Sequence, residues 1–153
     1  MPLGMEDRRI LSGHLRASSS YNYNHGPERS RLNIYASHSR TGAWVAKYRN
    51  TKQWLQIDLR QMCIIKGIAT QGRREAHQWV YTYVLSYSKD GRRFRAYTVG
   101  GRLKVNLFYT ILYLFVPVCL QWFAYDYSIT CSSLQRNPGI TNCQGLLVKT
   151  GAL

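Results

Sequence analysis

The sequence predicts an all-β sandwich, and three observations support this prediction. Short stretches alternate apolar and polar residues with a period of two, as half-buried strands do. Polar loops rich in Asn, Gly, Pro and Ser separate these stretches. An Asp90-Gly91 pair between two of them is a strong hairpin signal. Several short strands joined by irregular loops are typical of two-layered β folds.

The first half of the chain supplies two strand signals. The stretch HLRASSSY, residues 14–21, resembles a short strand that enters a turn-rich loop. In WLQIDL, Leu55, Ile57 and Leu59 alternate with Trp54, Gln56 and Asp58, which predicts a strand with one buried face.

Three more strands are predicted further along the chain. A turn at Arg60-Gln61 is expected to separate WLQIDL from a second strand, CIIKGIATQG, residues 63–72. The alternation in YTYVLSYS, residues 81–88, predicts a third strand. The Asp90-Gly91 turn then leads into FRAYTV, residues 94–99.

Composition and charge limit the classes of function. With 153 residues and 45% hydrophobic residues, the chain suits one domain with a core. It has 21 Lys and Arg against 7 Asp and Glu, a formal net charge of +14. This balance favours anionic partners such as phospholipid headgroups, sulfated glycans or nucleic acid. No nucleic-acid motif accompanies the charge, so nucleic-acid binding remains an alternative that rests on charge alone.

The residues offer no support for catalysis, a cofactor or a metal. There is no GxSxG elbow, HExxH pair or phosphate loop. The histidines lack the spacing of metal ligands, and the cysteines form no CxxC pair. These residues are His14, His25, His38, His77, Cys63, Cys119, Cys131 and Cys143. We therefore expect a protein that is not an enzyme.

A series of motifs resembles the discoidin domain family, also called the coagulation factor 5/8 type C domain. In order they are PLGMED, ASSSYN, ERSRLN, GAW, KQWLQIDL, IKGIATQGR, WVYTYVLSYSKDG and F-x-x-Y, across residues 2–97. The resemblance implies a jelly-roll β-sandwich whose loops at one end bind extracellular ligands. Depending on the member, these ligands are anionic phospholipid, collagen, glycans or protein termini. It also implies an extracellular or cell-surface location, although no signal peptide opens this chain.

By the same resemblance, three loops form one binding end: residues 21–30, 38–44 and 71–79. Their candidate ligand-binding residues are Tyr21, Tyr23, His25, Arg40, Thr41, Trp44, Arg73, Arg74, Glu75 and His77. The first three could form an amphipathic platform, or the tyrosines could simply pack the loop onto the sandwich. The arginines could pair with carboxylate, sulfate or phosphate. Trp44 suits an anchor at the base of its loop, and the loop tips lack large apolar residues, which argues against deep insertion into a bilayer.

The resemblance ends near Tyr97, so residues 1–104 are expected to form a partial domain. Residues 105–125, VNLFYTILYLFVPVCLQWFAY, contain no charged residue and are long enough for a transmembrane helix. They are also rich in strand formers and could supply substitute strands. Residues 126–153 are expected to be an irregular tail, and a tail of non-native origin is a third alternative.

The sequence as a whole predicts a non-enzymatic recognition module for cell adhesion or extracellular ligand binding. Two alternatives belong to other classes: a basic nucleic-acid-binding protein, and a truncated fragment anchored to a membrane through residues 105–125.

Overall fold

The computed structural model describes residues 3–65, 68–107 and 140–150. Its regular elements in these ranges are strands and short 3-10 turns, joined by long loops. No α-helix occurs in these ranges. The strands are β1 (Leu15–Ala17), β2 (Trp54–Ile65), β3 (Thr82–Ser88), β4 (Arg95–Ala96), β5 (Thr98–Val99), β6 (Arg102–Leu103), β7 (Val105–Leu107) and β8 (Ile140–Thr150). The 3-10 turns are Ser12–His14, Tyr23–His25 and Pro27–Arg29. The predicted all-β class is confirmed.

Strand β2 forms where the sequence alternates, because Leu55, Ile57 and Leu59 point into the core. The structure differs from the sequence prediction at Arg60, where a turn was expected to end the strand. Arg60 adopts a left-handed conformation with φ of 61°, and its backbone N–H donates to Asp58 Oδ1 at 2.8 Å. The strand continues to Ile65, with a register shift between Asp58 and Cys63. The local irregularity is therefore a bulge and not a hairpin.

The main sheet has the order β1-β2-β8-β3-β4, and β7 pairs with the other part of β3. All these pairs are antiparallel. Strand β8 lies between β2 and β3, with Leu146 opposite Ile57 on one side and Tyr87 on the other. Strands β5 and β6 form a separate two-stranded hairpin.

Strand β8 lies within the tail that the sequence predicted to be irregular, so the structure differs there over residues 140–150. Its apolar run Leu146, Leu147 and Val148 has no period of two, although Leu146 is buried and the other two side chains are half-buried. Residues 126–139 of the predicted tail lie outside the described residues.

The predicted hydrophobic segment, residues 105–125, is described only at its start, where residues 105–107 form β7. Residues 108–125, on which the choice between a helix and substitute strands depends, lie outside the described ranges. Among the residues that are described, none belongs to a helix that could cross a membrane.

The core forms on one face of this sheet. Leu15, Ile57, Ile65 and Leu146 are buried together, and the N-terminal residues Met5 and Ile10 pack against them. Arg31 is also buried and fastens the N-terminal segment, because its Nη1 donates to Met5 O at 2.8 Å and Ile10 O at 2.9 Å.

The strand directions define two ends of the sheet. Because β8 is antiparallel to both β2 and β3, the starts of β2 and β3 lie at the same end. We call this the loop end, since the loop 18–53 and the residues that lead into β3 adjoin it. Ser18 N–H donates to Trp54 O there at 3.0 Å. At the other end, Asp58 and Ser88 both pair with Gly145, and the Asp90-Gly91 turn follows.

Candidate functional site

The first loop, residues 21–30, exposes two tyrosines and buries its histidine. Tyr21 is 62% exposed and Tyr23 77%, whereas His25 is buried. Asn22 caps the 3-10 turn, since its Oδ1 accepts from Asn24 N–H at 2.9 Å and lies 2.6 Å from His25 Nδ1. The edge of the Tyr21 ring packs on His25 with 5.4 Å between ring centroids. His25 therefore supports the loop from inside, while the tyrosines face solvent.

The surroundings of His25 disfavour the charged form of its imidazole. Burial lowers its pKa below the ordinary value of 6.5, and the nearby charge of Arg73 lowers the pKa further. Because Asn22 Oδ1 can only accept, Nδ1 of the neutral ring carries the proton and donates to it.

Arg40 lies at the centre of the contact between the first and second loops. Its Nη1 makes an ion pair with Glu28 Oε1 at 3.0 Å, and its Nη2 donates to the hydroxyl of Tyr23. The guanidinium also lies 4.7 Å from the centroid of the Tyr23 ring. A backbone bridge between Ser37 and Arg40 fixes the start of this loop. The arginine is thus positioned in advance of any ligand.

An open cleft of about 470 Å³ adjoins Arg40. Its lining combines apolar surface with polar groups and includes Ser12, Ser20, Asn22, Tyr23, Gly26, Pro27, Glu28 and Arg40. The cleft offers hydroxyl groups, an amide, a carboxylate and a guanidinium, which suits a polar or anionic ligand better than an apolar one.

Thr41 and Trp44 tie the second loop to the first. The Thr41 hydroxyl lies 3.0 Å from both Asn24 O and Ala43 O, and Trp44 Nε1 donates to Ser19 O at 3.0 Å. These side chains are committed to internal carbonyl groups, which is the anchoring role that the sequence suggested for Trp44.

Glu75 joins the third loop to the second. Its Oε1 accepts from Ala36 N–H at 2.7 Å, and its Oε2 lies 3.4 Å from Arg73 Nε. Burial alone would raise the pKa of Glu75, but the hydrogen bonds from its own and the Ala36 backbone N–H groups, with Arg73, lower the pKa overall. Arg73 also donates to Gln78 Oε1 at 2.9 Å.

Arg74 and His77 face outward on the third loop. The Arg74 guanidinium lies 3.9 Å from the centroid of the Tyr35 ring, and Tyr35 is itself exposed. Within the described ranges, Arg74 makes no ion pair with a carboxylate. It therefore offers a cation to a partner without breaking an internal pair.

Sequence reasoning missed two residues that shape this end. Arg29 is buried and donates to Thr41 O at 2.5 Å and Tyr35 O at 2.8 Å, which holds the second loop in place. Tyr35 supports Arg74. No local sequence pattern indicated Arg29, because its burial follows from the 3-10 turn Pro27–Arg29 and from contacts with residues further along the chain.

No group of three or more His, Cys, Asp or Glu side chains suited to a metal ion occurs where the structure is described.

Comparisons with known proteins agree on one family. The profile of the F5/8 type C domain matches residues 14–109. Coagulation factor VIII of Canis lupus familiaris is 34% identical over 110 residues, which cover 69% of this chain and 5% of that protein. Retinoschisin of Mus musculus is 35% identical over 96 residues, 60% of this chain and 42% of that protein. The chain thus spans less than half the length of these relatives.

The fold comparison points the same way. The wild-type discoidin II of Dictyostelium discoideum superposes with a TM-score of 0.62 at 21% identity, over 89% of this chain and 48% of that one. At this identity the likeness establishes a shared fold. The matched range includes all three loops of the candidate site.

Proposed function

Because the chain belongs to the F5/8 type C, or discoidin, domain family, we propose that it is a non-enzymatic recognition module that binds an extracellular ligand through its loop end. Membership confirms the resemblance predicted from the motifs. The relatives support a binding or adhesion module of the extracellular space in general terms, and the ligand and the contact residues are our proposal.

The arrangement around Arg40 carries this proposal. An arginine held by Glu28 and stacked on an exposed Tyr23 borders an open cleft. An incoming phosphate or carboxylate could take the guanidinium hydrogens now shared with Glu28, and Arg74 adds a second cation on the neighbouring loop. The tips of the first loop carry Asn and Gly instead of large apolar residues, which supports shallow contact through polar groups.

We choose anionic phospholipid headgroups as the ligand to test first, because they combine a phosphate with polar groups of a size that suits the cleft. The probe is a set of phosphatidylcholine vesicles with and without phosphatidylserine. Binding by cosedimentation should require phosphatidylserine and should weaken with added salt, since screening shortens the range of charge attraction.

The decisive variant is Arg40→Ala. A hydrogen bond to a charged group contributes about 1.5–3 kcal/mol, so its loss should weaken vesicle binding by roughly tenfold or more. The matched control is Arg16→Ala, which removes the same charge from an exposed site on β1, outside the loops. Equal losses in the two variants would show that only overall charge matters and would refute the cleft assignment. No binding of the unaltered protein to either vesicle would exclude phospholipid.

A further inference from the structure

A second basic surface lies away from the loop end. We call residues 89–104 the basic edge. They contain six exposed cationic side chains and one carboxylate, that of Asp90. The cations are Lys89, Arg92, Arg93, Arg95, Arg102 and Lys104. The binding loops of the proposed function include none of them.

The cations of the basic edge are clustered in sequence, and none of them is neutralised by an ion pair with another described residue. Elsewhere, carboxylates neutralise arginines in four ion pairs: Arg9–Asp7, Arg40–Glu28, Arg60–Asp58 and Arg73–Glu75. Across the described ranges, no cation of the basic edge lies within ion-pair distance of a carboxylate.

Asp90 does not pair with the cations because it builds the turn. Its Oδ1 accepts from the backbone N–H groups of Arg92 and Arg93, at 2.9 and 2.8 Å, and from the Ser88 hydroxyl at 2.8 Å. These hydrogen bonds hold the pKa of Asp90 far below its ordinary range. The carboxylate therefore orients the turn while the two guanidinium groups extend into solvent.

Backbone hydrogen bonds fix the position of the remaining cations. Arg95 lies on β4, the last strand in the sheet order. Tyr97 N–H donates to Leu85 O at 2.8 Å and Lys104 N–H to Tyr97 O at 3.1 Å, which ties the β5–β6 hairpin to β3. The cations thus follow one backbone segment, from the turn after β3 through the edge strand β4 to the adjoining hairpin. A row held by the backbone needs little ordering when a partner binds.

We propose that the basic edge binds a sulfated polysaccharide. Such a chain carries anionic groups at regular intervals, which matches a row of cations better than a single pocket would. Arginine is suited to this contact because its planar fork donates two parallel hydrogen bonds to an oxyanion. Release of counterions from the polymer adds to the affinity, as it does for other polyanions.

The composition of the basic edge disfavours two other anionic partners, single-stranded nucleic acid and a lipid surface. Single-stranded nucleic acid binds on exposed aromatic rings, and both aromatic residues of this segment, Phe94 and Tyr97, are half-buried. Insertion into a lipid surface needs an apolar tip. Here the tip is Gly100-Gly101, and only Val99 and Leu103 expose sizeable apolar side chains beside six cations.

Heparin is the probe, titrated into the full chain by calorimetry. The test variant is Arg92→Gln with Arg93→Gln, and a second is Arg95→Gln with Arg102→Gln. The matched control is Arg49→Gln with Lys52→Gln, which removes two positive charges from exposed positions outside the edge. We expect each edge variant to weaken heparin binding at least tenfold and to reduce the salt dependence of the affinity, while the control changes it by less than about threefold.

Equal losses of heparin affinity in the edge and control variants would overturn the proposal, and so would equal affinity for heparin and desulfated heparin. A third contrary outcome is that the same residues bind single-stranded DNA or phosphatidylserine vesicles more tightly than heparin. The Arg40→Ala variant separates the two proposals, because it should weaken vesicle binding and leave heparin binding unchanged. The substituted edge residues are exposed, so folding of the variants, checked by circular dichroism, should be intact.

Discussion

Arginine side chains have three different roles in this protein. The roles differ in how deeply the side chain is buried and in the groups that it contacts. Arg29 and Arg31 are buried and donate to backbone carbonyl groups, so they act as structural ties. Arg40 is partly exposed and combines an ion pair with a tyrosine contact. Arg92 and Arg93 are exposed, and among the described residues their guanidinium groups make no ion pair with a carboxylate. A net charge of +14 therefore overstates the charge that is free to meet a ligand.

His25 should make the stability of the protein depend on pH. Its folded pKa is lowered, so the unfolded chain binds a proton near pH 6.5 while the folded chain resists it. The contribution of neutral His25 is complete above pH 6.5 and falls as the pH drops below that value. Denaturant unfolding gives the free energy of unfolding of the unaltered protein and of His25→Gln at each pH. The advantage of the unaltered protein over the variant should shrink as the pH falls below 6.5.

The control for this prediction is His38→Gln, which changes an exposed histidine and should keep the pH dependence of the unaltered protein. A direct NMR titration gives the second check. A pKa for His25 at or above 6.5 would contradict the assignment of a buried neutral ring.

At the level of elements, the loops form one unit because short contacts join them. Gly42 shows how close the second and third loops lie: a Cβ at this position would collide with Glu75 Oε1 and lie 2.8 Å from Ile34 O. The carboxylate could rotate away, but the carbonyl belongs to the backbone. A side chain at residue 42 would therefore displace the second loop.

We expect Gly42→Ala to lower the free energy of unfolding by about 1–3 kcal/mol, as overpacking of a tight contact does. The control is Gly13→Ala, where an added Cβ meets nothing within 4 Å and the change should stay within about 0.5 kcal/mol. Chemical denaturation of both variants makes the comparison. Similar effects at the two positions would mean that the contact between loops is loose.

The sequence predicted the elements whose signals are local. Alternation indicated β3, and the Asp90-Gly91 pair indicated the turn that leads to β4. It did not predict the continuity of β2, because the pairing with β8 that resumes at Cys63, beyond the left-handed Arg60, joins residues far apart in the chain. Strand β8 itself was missed, since its consecutive apolar residues Leu146, Leu147 and Val148 show no alternation.

The sequence likewise predicted only part of the candidate site. Motif order placed the three loops, but it could not show that His25 turns inward or that Arg40 meets Tyr23 and Glu28. Those contacts join residues far apart in the chain, and a 3-10 turn sets which side chain faces solvent. Local patterns contain no such information.

For the whole molecule, stability depends on β8. Leu146 is 0% exposed and packs in the core with Ile57 and Leu59. Leu146→Ala should lower the free energy of unfolding by about 2–5 kcal/mol, because it leaves a cavity at the centre of the sheet. Leu11→Ala, at a residue 61% exposed, is the control and should cost less than about 1 kcal/mol. An equally small loss at Leu146, measured by denaturant unfolding, would contradict the central place of β8.

The position of β8 also affects how the protein is made. Synthesis proceeds from the N-terminus, so β2 and β3 leave the ribosome well before the strand that lies between them. Until β8 emerges, both strands expose unpaired backbone edges to neighbouring chains, which is the condition under which nascent sheets aggregate. The sheet can close only after translation has passed residue 150, and a chaperone that shields strand edges during that interval should raise the yield of folded protein.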